Sequence, residues 1–208
     1  MKNEKTKLHF AKRFIGLLLA ALLLVSLYSP SVFATTYTPG DREITLTFPN
    51  SYRKQIQVCS YNGKKVYFNT VGFYSSYRIY NFAYKKVYLV RYRTTLQSGE
   101  YGKWVKKYVV FNSELNKSLV GNKMLVKVKA PKIKNVKYYQ FYTSTSKDSG
   151  YKKAKAKLKP GKSYTIKKIR GSKLIHYKNY YIKLVPVLKN GKKATPIYDS
   201  FYIYKTYK

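Results

Sequence analysis

No stretch limits what this chain can fold into more than Tyr177 to Tyr204, reading YKNYYIKLVPVLKNGKKATPIYDSFYIY. Two apolar-rich runs flank Asn190-Gly191, a pair that accepts the positive φ values of a tight hairpin turn. On the first arm Tyr180, Ile182 and Leu184 alternate with Tyr181 and Lys183, the period-two mark of a strand with one buried face. A matching unit lies earlier, Tyr84 to Phe111, where Tyr88, Val90 and Tyr92 alternate with Leu89 and Arg91 and Gly99 sits in the turn. One hairpin written twice predicts one small β domain made twice.

The first 34 residues stand apart. Lys2, Lys5, Lys7, Lys12 and Arg13 precede the apolar run FIGLLLAALLLVSL, Phe14 to Leu27, and Val32-Phe33-Ala34 supplies small residues for cleavage. This reads as a secretory signal peptide, residues 1–34, cut after Ala34. An uncleaved anchor is the alternative, but the run is short for a membrane span. The product is expected to be extracellular and cell-wall associated, with no transmembrane span in the mature chain. No cysteine follows the apolar run closely, which argues against a lipoprotein anchor, and no second hydrophobic segment closes the chain.

The mature chain, 174 residues, has room for two domains with modest cores. Its single cysteine, Cys59, allows no internal disulfide, so both cores must hold by packing. Cys59 shares its strand phase with Gln57, which predicts an outward, partly covered thiol. An intermolecular disulfide through it stays open, although a monomer is expected. Of 43 basic residues five precede residue 35, and of seven acidic residues one does, leaving 38 against six and a net charge of +32. A surface of that sign attracts polyanions through counterion release and repels copies of itself.

Taken in order, Ile44 to Pro49, Gln55 to Ser60, Lys64 to Phe68 and Tyr77 to Phe82 read as strands before the first hairpin. The polar stretch Asn112 to Asn122 is the expected boundary. Val126 to Pro131 then stands where Ile44 to Pro49 stood, Tyr139 to Thr143 where Ile56 to Ser60 stood, and Ser163 to Ile166 where Ser76 to Ile79 stood. Many short strands, punctuated by Gly, Pro, Asn and Asp and without helical periodicity, predict an all-β sandwich in each half.

The spacing Tyr77, Phe82, Tyr88 resembles the E strand, corner and F strand of bacterial fibronectin type III domains. In that family an apolar residue lies six positions before the tyrosine that opens strand F, and Phe82 to Tyr88 and Leu174 to Tyr180 both fit. Val126 to Ala154 is similar to strands B, C and C′ of lysine-rich versions in secreted Gram-positive proteins. The resemblance implies two tandem fibronectin type III-like (immunoglobulin-like) β-sandwiches, residues 35–113 and 114–208. The corner tyrosine would turn its hydroxyl back onto backbone. The B-strand tryptophan is replaced by Phe48 and Ala130. Tyr164, six residues after Leu158, offers a rival corner that would strand the last hairpin outside the fold. Rejecting it requires an insertion of about five residues near Arg170 to Leu174, a modest loop-entropy cost.

Catalytic chemistry finds few parts. His176 and Cys59 fall on different elements, and a lone histidine with a lone thiol supplies too few nitrogen and sulfur ligands for a transition metal. The mature carboxylates Asp41, Glu43, Glu100, Glu114, Asp148 and Asp199 are scattered, whereas a glycosidase needs two that converge. Gly99 and Gly102 lie within a hairpin, not before a helix, so no phosphate-cradling loop is expected. A non-catalytic protein is expected, with no cofactor and no small-molecule substrate.

What remains is lysine interleaved with tyrosine. Lys127 and Lys129, Lys132 and Lys134, and Lys152, Lys153, Lys155 and Lys157 are the candidate polyanion contacts. Because the first and last groups belong to opposite sheets in the family pattern, diffuse, salt-sensitive binding is expected, not sequence- or ligand-specific recognition. Teichoic acids, anionic glycans and extracellular nucleic acid are the candidate partners, and plain solubility is the competing explanation for the charge. The expected role is a surface-associated binding or adhesion protein. The alternatives are a carbohydrate-binding module, with Trp104 and Tyr74 in an aromatic platform alongside Phe73, Tyr77 and Tyr80, and a structural spacer without ligand.

Overall fold

A computed structural model describes residues 42–48, 52–95, 98–112, 115–120 and 123–204, so the signal peptide expected at 1–34 lies outside them. The described residues form strands and turns with no helix, and thus none long and apolar enough to cross a membrane. In the first half the strands are β1 (Ile44–Thr47), β2 (Arg53–Ser60), β3 (Val66–Phe73), β4 (Ser76–Ile79), β5 (Val87–Thr94) and β6 (Val105–Val110). They make a four-stranded sheet of order β3-β2-β5-β6 and a two-stranded sheet β1-β4.

The second half carries β7 (Asn116–Val120), β8 (Lys123–Lys129), β9 (Val136–Ser144), β10 (Lys152–Leu158) and β11 (Ser163–Ile166). Two short strands, β12 (Lys168–Ile169) and β13 (Ser172–Lys173), lead to β14 (Asn179–Leu188) and β15 (Ile197–Tyr202). Here the sheets are β10-β9-β14-β15 and β11-β8-β7. All pairings between these strands are antiparallel. A C′-C-F-G sheet packed on a sheet holding B and E is the fibronectin type III arrangement, and it occurs twice. The stretch expected to be only a polar boundary contains β7, the A strand of the second sandwich. Its polar residues pair with β8 at the sheet edge, while Leu115 just before it is buried.

Alternation explains each core. Ile44, Leu46, Phe48, Ile56, Val58, Tyr88, Val90, Tyr92, Val109 and Phe111 are buried together in the first sandwich. Val126, Val128, Phe141, Leu158, Ile166, Tyr180, Ile182, Leu184 and Ile197 do the same in the second. Buried side chains of this kind each contribute about 1.5–3 kcal/mol of hydrophobic stabilisation. Phe48 packs edge-on to Tyr92 at 4.9 Å between ring centroids, and Ala130 is buried in the second core.

The corners of the two sandwiches superpose in sequence register. Tyr88 Oη accepts from Ala83 N at 3.0 Å, and Tyr180 Oη accepts from Ile175 N at 2.9 Å. Three residues before each tyrosine, Lys85 and Tyr177 both have positive φ, and their N–H groups donate to Phe111 O and Ile203 O. Tyr164 instead lies in β11, opposite Val128. The extra residues between the E and F strands fold into the β12-β13 hairpin, whose turn residues Arg170 and Gly171 both have positive φ.

Two sequence alignments shift. Ile56 faces Tyr92, and Phe141 faces Leu184, so Phe141 and not Tyr139 holds the place of Ile56. A two-residue slip keeps every side chain on its face, which is why alternation alone did not fix it. The strand expected at Lys64 to Phe68 runs instead from Val66 to Phe73.

The halves meet along a joint. Val87 and Val110 pack with the second core, together with Tyr61 and Tyr108. Thr195 N donates to Tyr108 O at 3.0 Å, and Asn190 N and Nδ2 donate to the hydroxyls of Tyr61 and Tyr108.

Candidate functional site

The outward faces of the two four-stranded sheets hold the chain's most organised polar chemistry. In the first sandwich Asn69 on β3 faces Gln57 on β2, Gln57 faces Arg91 on β5, and Arg91 faces Lys106 on β6. The neighbouring row sets Gln55 against Arg93. Arg91 Nε donates to Gln57 Oε1 and Arg93 Nε to Gln55 Oε1, each at 2.8 Å. Both glutamine amides then donate to Asn69 Oδ1, at 2.9 and 3.0 Å. The two guanidinium carbons lie 4.6 and 4.5 Å from the Trp104 ring centroid, and Arg93 also lies 3.9 Å from that of Tyr101. Arg91 is thus held through one nitrogen and one ring, and Arg93 through one nitrogen and two rings, while a guanidinium has further N–H donors to offer.

The second sandwich repeats that row in the same register with different residues. Lys153 faces Tyr142, Tyr142 faces Lys183, and Lys183 faces Tyr198. Lys183 Nζ lies 5.0 Å from the Tyr142 ring and 4.6 Å from that of Tyr151, and Lys153 Nζ lies 5.9 Å from Tyr142. Tyr151 and Tyr198 meet edge to face at 5.9 Å. Burial, with Tyr198, Asp148 and Tyr181 nearby, pushes the Tyr151 phenol up to about 12. Tyr151 and Tyr198, both pushed up by burial, therefore stay neutral beside the Lys183 ammonium at physiological pH. Cation–π contacts of this kind contribute about 0.5–1 kcal/mol at exposed sites.

The lysines named from sequence fall into three places. Lys127 and Lys129 are exposed on β8, in the three-stranded sheet. Lys132 and Lys134 follow that strand and, with Lys189, line a shallow cleft of about 340 Å³. Lys152, Lys153, Lys155 and Lys157 are exposed on the edge strand β10, with Lys157 Nζ 5.9 Å from the Tyr138 ring. The basic groups are not gathered into one groove.

The aromatic platform expected around Trp104 does not assemble. Trp104 precedes β6, whereas Phe73 ends β3 at the opposite edge of the sheet, three strand spacings or roughly 14 Å away. Tyr74 packs against the first core, 4.7 Å from Tyr77, with its hydroxyl 2.9 Å from Thr70 Oγ1. Contacts to the first core hold Tyr74 and Tyr77, whereas Tyr80 is exposed after β4.

Cys59 is fully buried rather than partly covered. A register shift between Val58 and Cys59 and the neighbouring Leu89 enclose it. Burial pushes its thiol up, with Arg91 pulling weakly the other way. His176 Nδ1 lies 3.2 Å from Tyr204 O, on a loop of the other sandwich. Among the described residues no three His, Cys, Asp or Glu side chains gather to hold a metal ion. Glu43 approaches Arg78 at 3.9 Å, Asp199 pairs with Lys117 at 2.6 Å, and Glu100 and Asp148 lie in turns.

The Arg91, Arg93, Gln55 and Gln57 set escaped sequence reasoning. Its signal is two outward pairs, Gln-x-Gln on β2 and Arg-x-Arg on β5, visible only once those non-consecutive strands are paired.

No family model matches the chain, and no curated protein matches it. Among solved structures it is similar to a two-domain fibronectin type III segment of chicken tenascin. The two share 12% identity over 83% of this chain and 98% of that one, with a TM-score of 0.34. It is also similar to the FN1–FN3 domains of chicken CNTN1, with 13% identity over 85% of this chain and 68% of that one and a TM-score of 0.32.

Proposed function

We propose that the mature protein is a secreted, non-catalytic binding module of a Gram-positive cell surface, retained on polymers of repeating negative charge. Teichoic acids of the wall are the leading partner, with anionic glycans and extracellular nucleic acid sharing the same chemistry. One observation carries this reading. The outward strand rows of both four-stranded sheets hold Arg91, Arg93, Lys106, Lys153 and Lys183, and no described carboxylate stands in those rows; Asp148, in the bend beside Tyr151, is the acidic group near them.

Such faces favour any flexible polyanion through counterion release, with little demand on its sequence. The pinned guanidiniums add fixed donors for phosphate, carboxylate or sulfate oxygens. A neutral sugar platform is disfavoured because guanidinium groups already lie over the Trp104 ring. The test is retention on purified cell walls. Elution by moderate salt, and loss of retention on walls stripped of teichoic acid, support the proposal. Retention that survives high salt overturns it.

A further inference from the structure

The two sandwiches treat the same sheet edge in opposite ways. Strand β10 closes its sheet with the sequence KKAKAKL, and its pairing with β9 is broken by two register shifts. Exposed lysines and bulges of this kind keep a foreign strand from adding to an edge. Strand β3 closes the equivalent edge in the first sandwich with VYFNTVGF, eight residues without a charge. Its pairing with β2 is continuous from Arg53 to Val58, and among the described residues no strand covers its other side. Three of its outward side chains are apolar and open, with Phe73 75% exposed, Tyr67 43% and Val71 37%, and the neutral amide of Asn69 lies between Tyr67 and Val71.

Only the ends of this edge are charged, and both are positive. At the start, Lys65 Nζ and Lys86 Nζ lie 5.5 and 4.5 Å from the Tyr67 ring centroid. At the finish, Arg53 faces Phe73 across the sheet. A second copy pairing antiparallel across a two-fold axis would bring the Lys65 end of one chain against the Arg53 end of the other, cation on cation. An extended segment with an apolar, β-branched centre and carboxylates at its ends fits the edge in both pattern and charge.

We infer that β3 is a strand-addition site for an extended polypeptide segment of another protein, apolar in its alternate residues and acidic at both ends. Backbone hydrogen bonds to the free edge hold such a segment, and its side chains lie beside Tyr67, Val71 and Phe73. This site uses the backbone edge of β3, whereas polyanions are proposed to contact the cations of β5 and β6, with Asn69 linking the two through Gln55 and Gln57, so different readouts test the two proposals.

The probe is a capped synthetic peptide, EEVTVTVTEE, read by hydrogen exchange of the protein's backbone amides. Saturating peptide is expected to slow exchange several-fold over residues 66–73 and to leave 152–158 unchanged. N-methylation at alternate peptide residues should abolish the effect, because it removes edge donors while keeping the side chains. Val71→Lys with Phe73→Lys, which copies the lysine defence of β10, should weaken binding tenfold or more while leaving polyanion retention in place. No slowing at millimolar peptide overturns the proposal. Equal slowing by the lysine-ended peptide KKVTVTVTKK overturns the choice of an acidic partner. Sedimentation that reveals a dimer abolished by the same two substitutions overturns it in favour of a second copy.

Discussion

Thr195 and Val110 exchange two hydrogen bonds across the joint between the sandwiches. Val110 N donates to Thr195 Oγ1 at 3.0 Å, and the same hydroxyl lies 3.4 Å from Val110 O, with both residues buried. One hydroxyl therefore satisfies the donor, and supports the acceptor, of a backbone unit in the other half. Thr195→Val keeps the shape and removes the partner, so the joint should weaken by about 1–3 kcal/mol, the cost of leaving a buried polar group unmade. Calorimetry should show the unfolding of the two halves separating or shifting down. An unchanged thermogram would mean that the halves are not coupled there.

The corner tyrosines are the next test. Tyr88→Phe and Tyr180→Phe delete the hydroxyls that accept from Ala83 N and Ile175 N. Each is expected to lower stability by about 1–3 kcal/mol in denaturant unfolding, with no change in strand content by circular dichroism. A loss below about 0.5 kcal/mol in both would show that the corners are held by ring packing alone.

Lys54 faces inward on β2 and is almost fully buried, with Nζ donating to Tyr52 O at 2.8 Å and Tyr74 O at 3.3 Å. Its ammonium also lies 4.8 Å from the Phe48 ring centroid. Burial pulls its pKa below the ordinary lysine value of 10.5. The unfolded chain therefore holds this proton more tightly, and the resulting penalty is relieved as pH rises from the lowered value toward 10.5. Other groups, the tyrosines among them, titrate in the same range, so the check is a comparison. The stability of the native protein minus that of Lys54→Met should rise between pH 8 and about pH 10.5. A flat difference would contradict the burial of charge.

Cys59 supplies a kinetic check. Its burial and raised pKa predict slow labelling by a thiol reagent in the native protein and rapid labelling after denaturation. Fast labelling of the folded chain, or a disulfide-linked dimer formed without denaturant, would contradict the enclosed position.

Much of the fold was legible because hydrophobic alternation and turn chemistry are local signals. Tyr88, Val90 and Tyr92 declare an inward face, and Phe82 to Tyr88 and Leu174 to Tyr180 carry the same corner spacing. The β12-β13 insertion was placed by counting residues between Ile166 and Tyr180. What could not be read depends on non-local pairing. The bulge after Val58 hides Cys59 despite its outward phase, and the slip from Tyr139 to Phe141 preserves the pattern that would reveal it. The Arg91–Gln57 and Arg93–Gln55 bonds join strands more than 30 residues apart in sequence. Lys54 escapes the sequence pattern because the expected strand begins at Gln55, one residue too late to include a lysine in phase with Ile56 and Val58.

The central claim is that the basic outer rows hold polyanions by counterion release, and salt dependence tests it most directly. The measurement is the affinity of the mature protein for a phosphate-repeat polymer across a salt series, beside a variant carrying Arg91→Gln, Arg93→Gln, Lys153→Gln and Lys183→Gln. The expected plot of log affinity against log salt is linear and steep, and the variant should lose about 0.7–0.9 of slope for each contacting cation removed. A flat salt dependence, or a variant indistinguishable from the native protein, would contradict the claim and leave the charge as a matter of solubility.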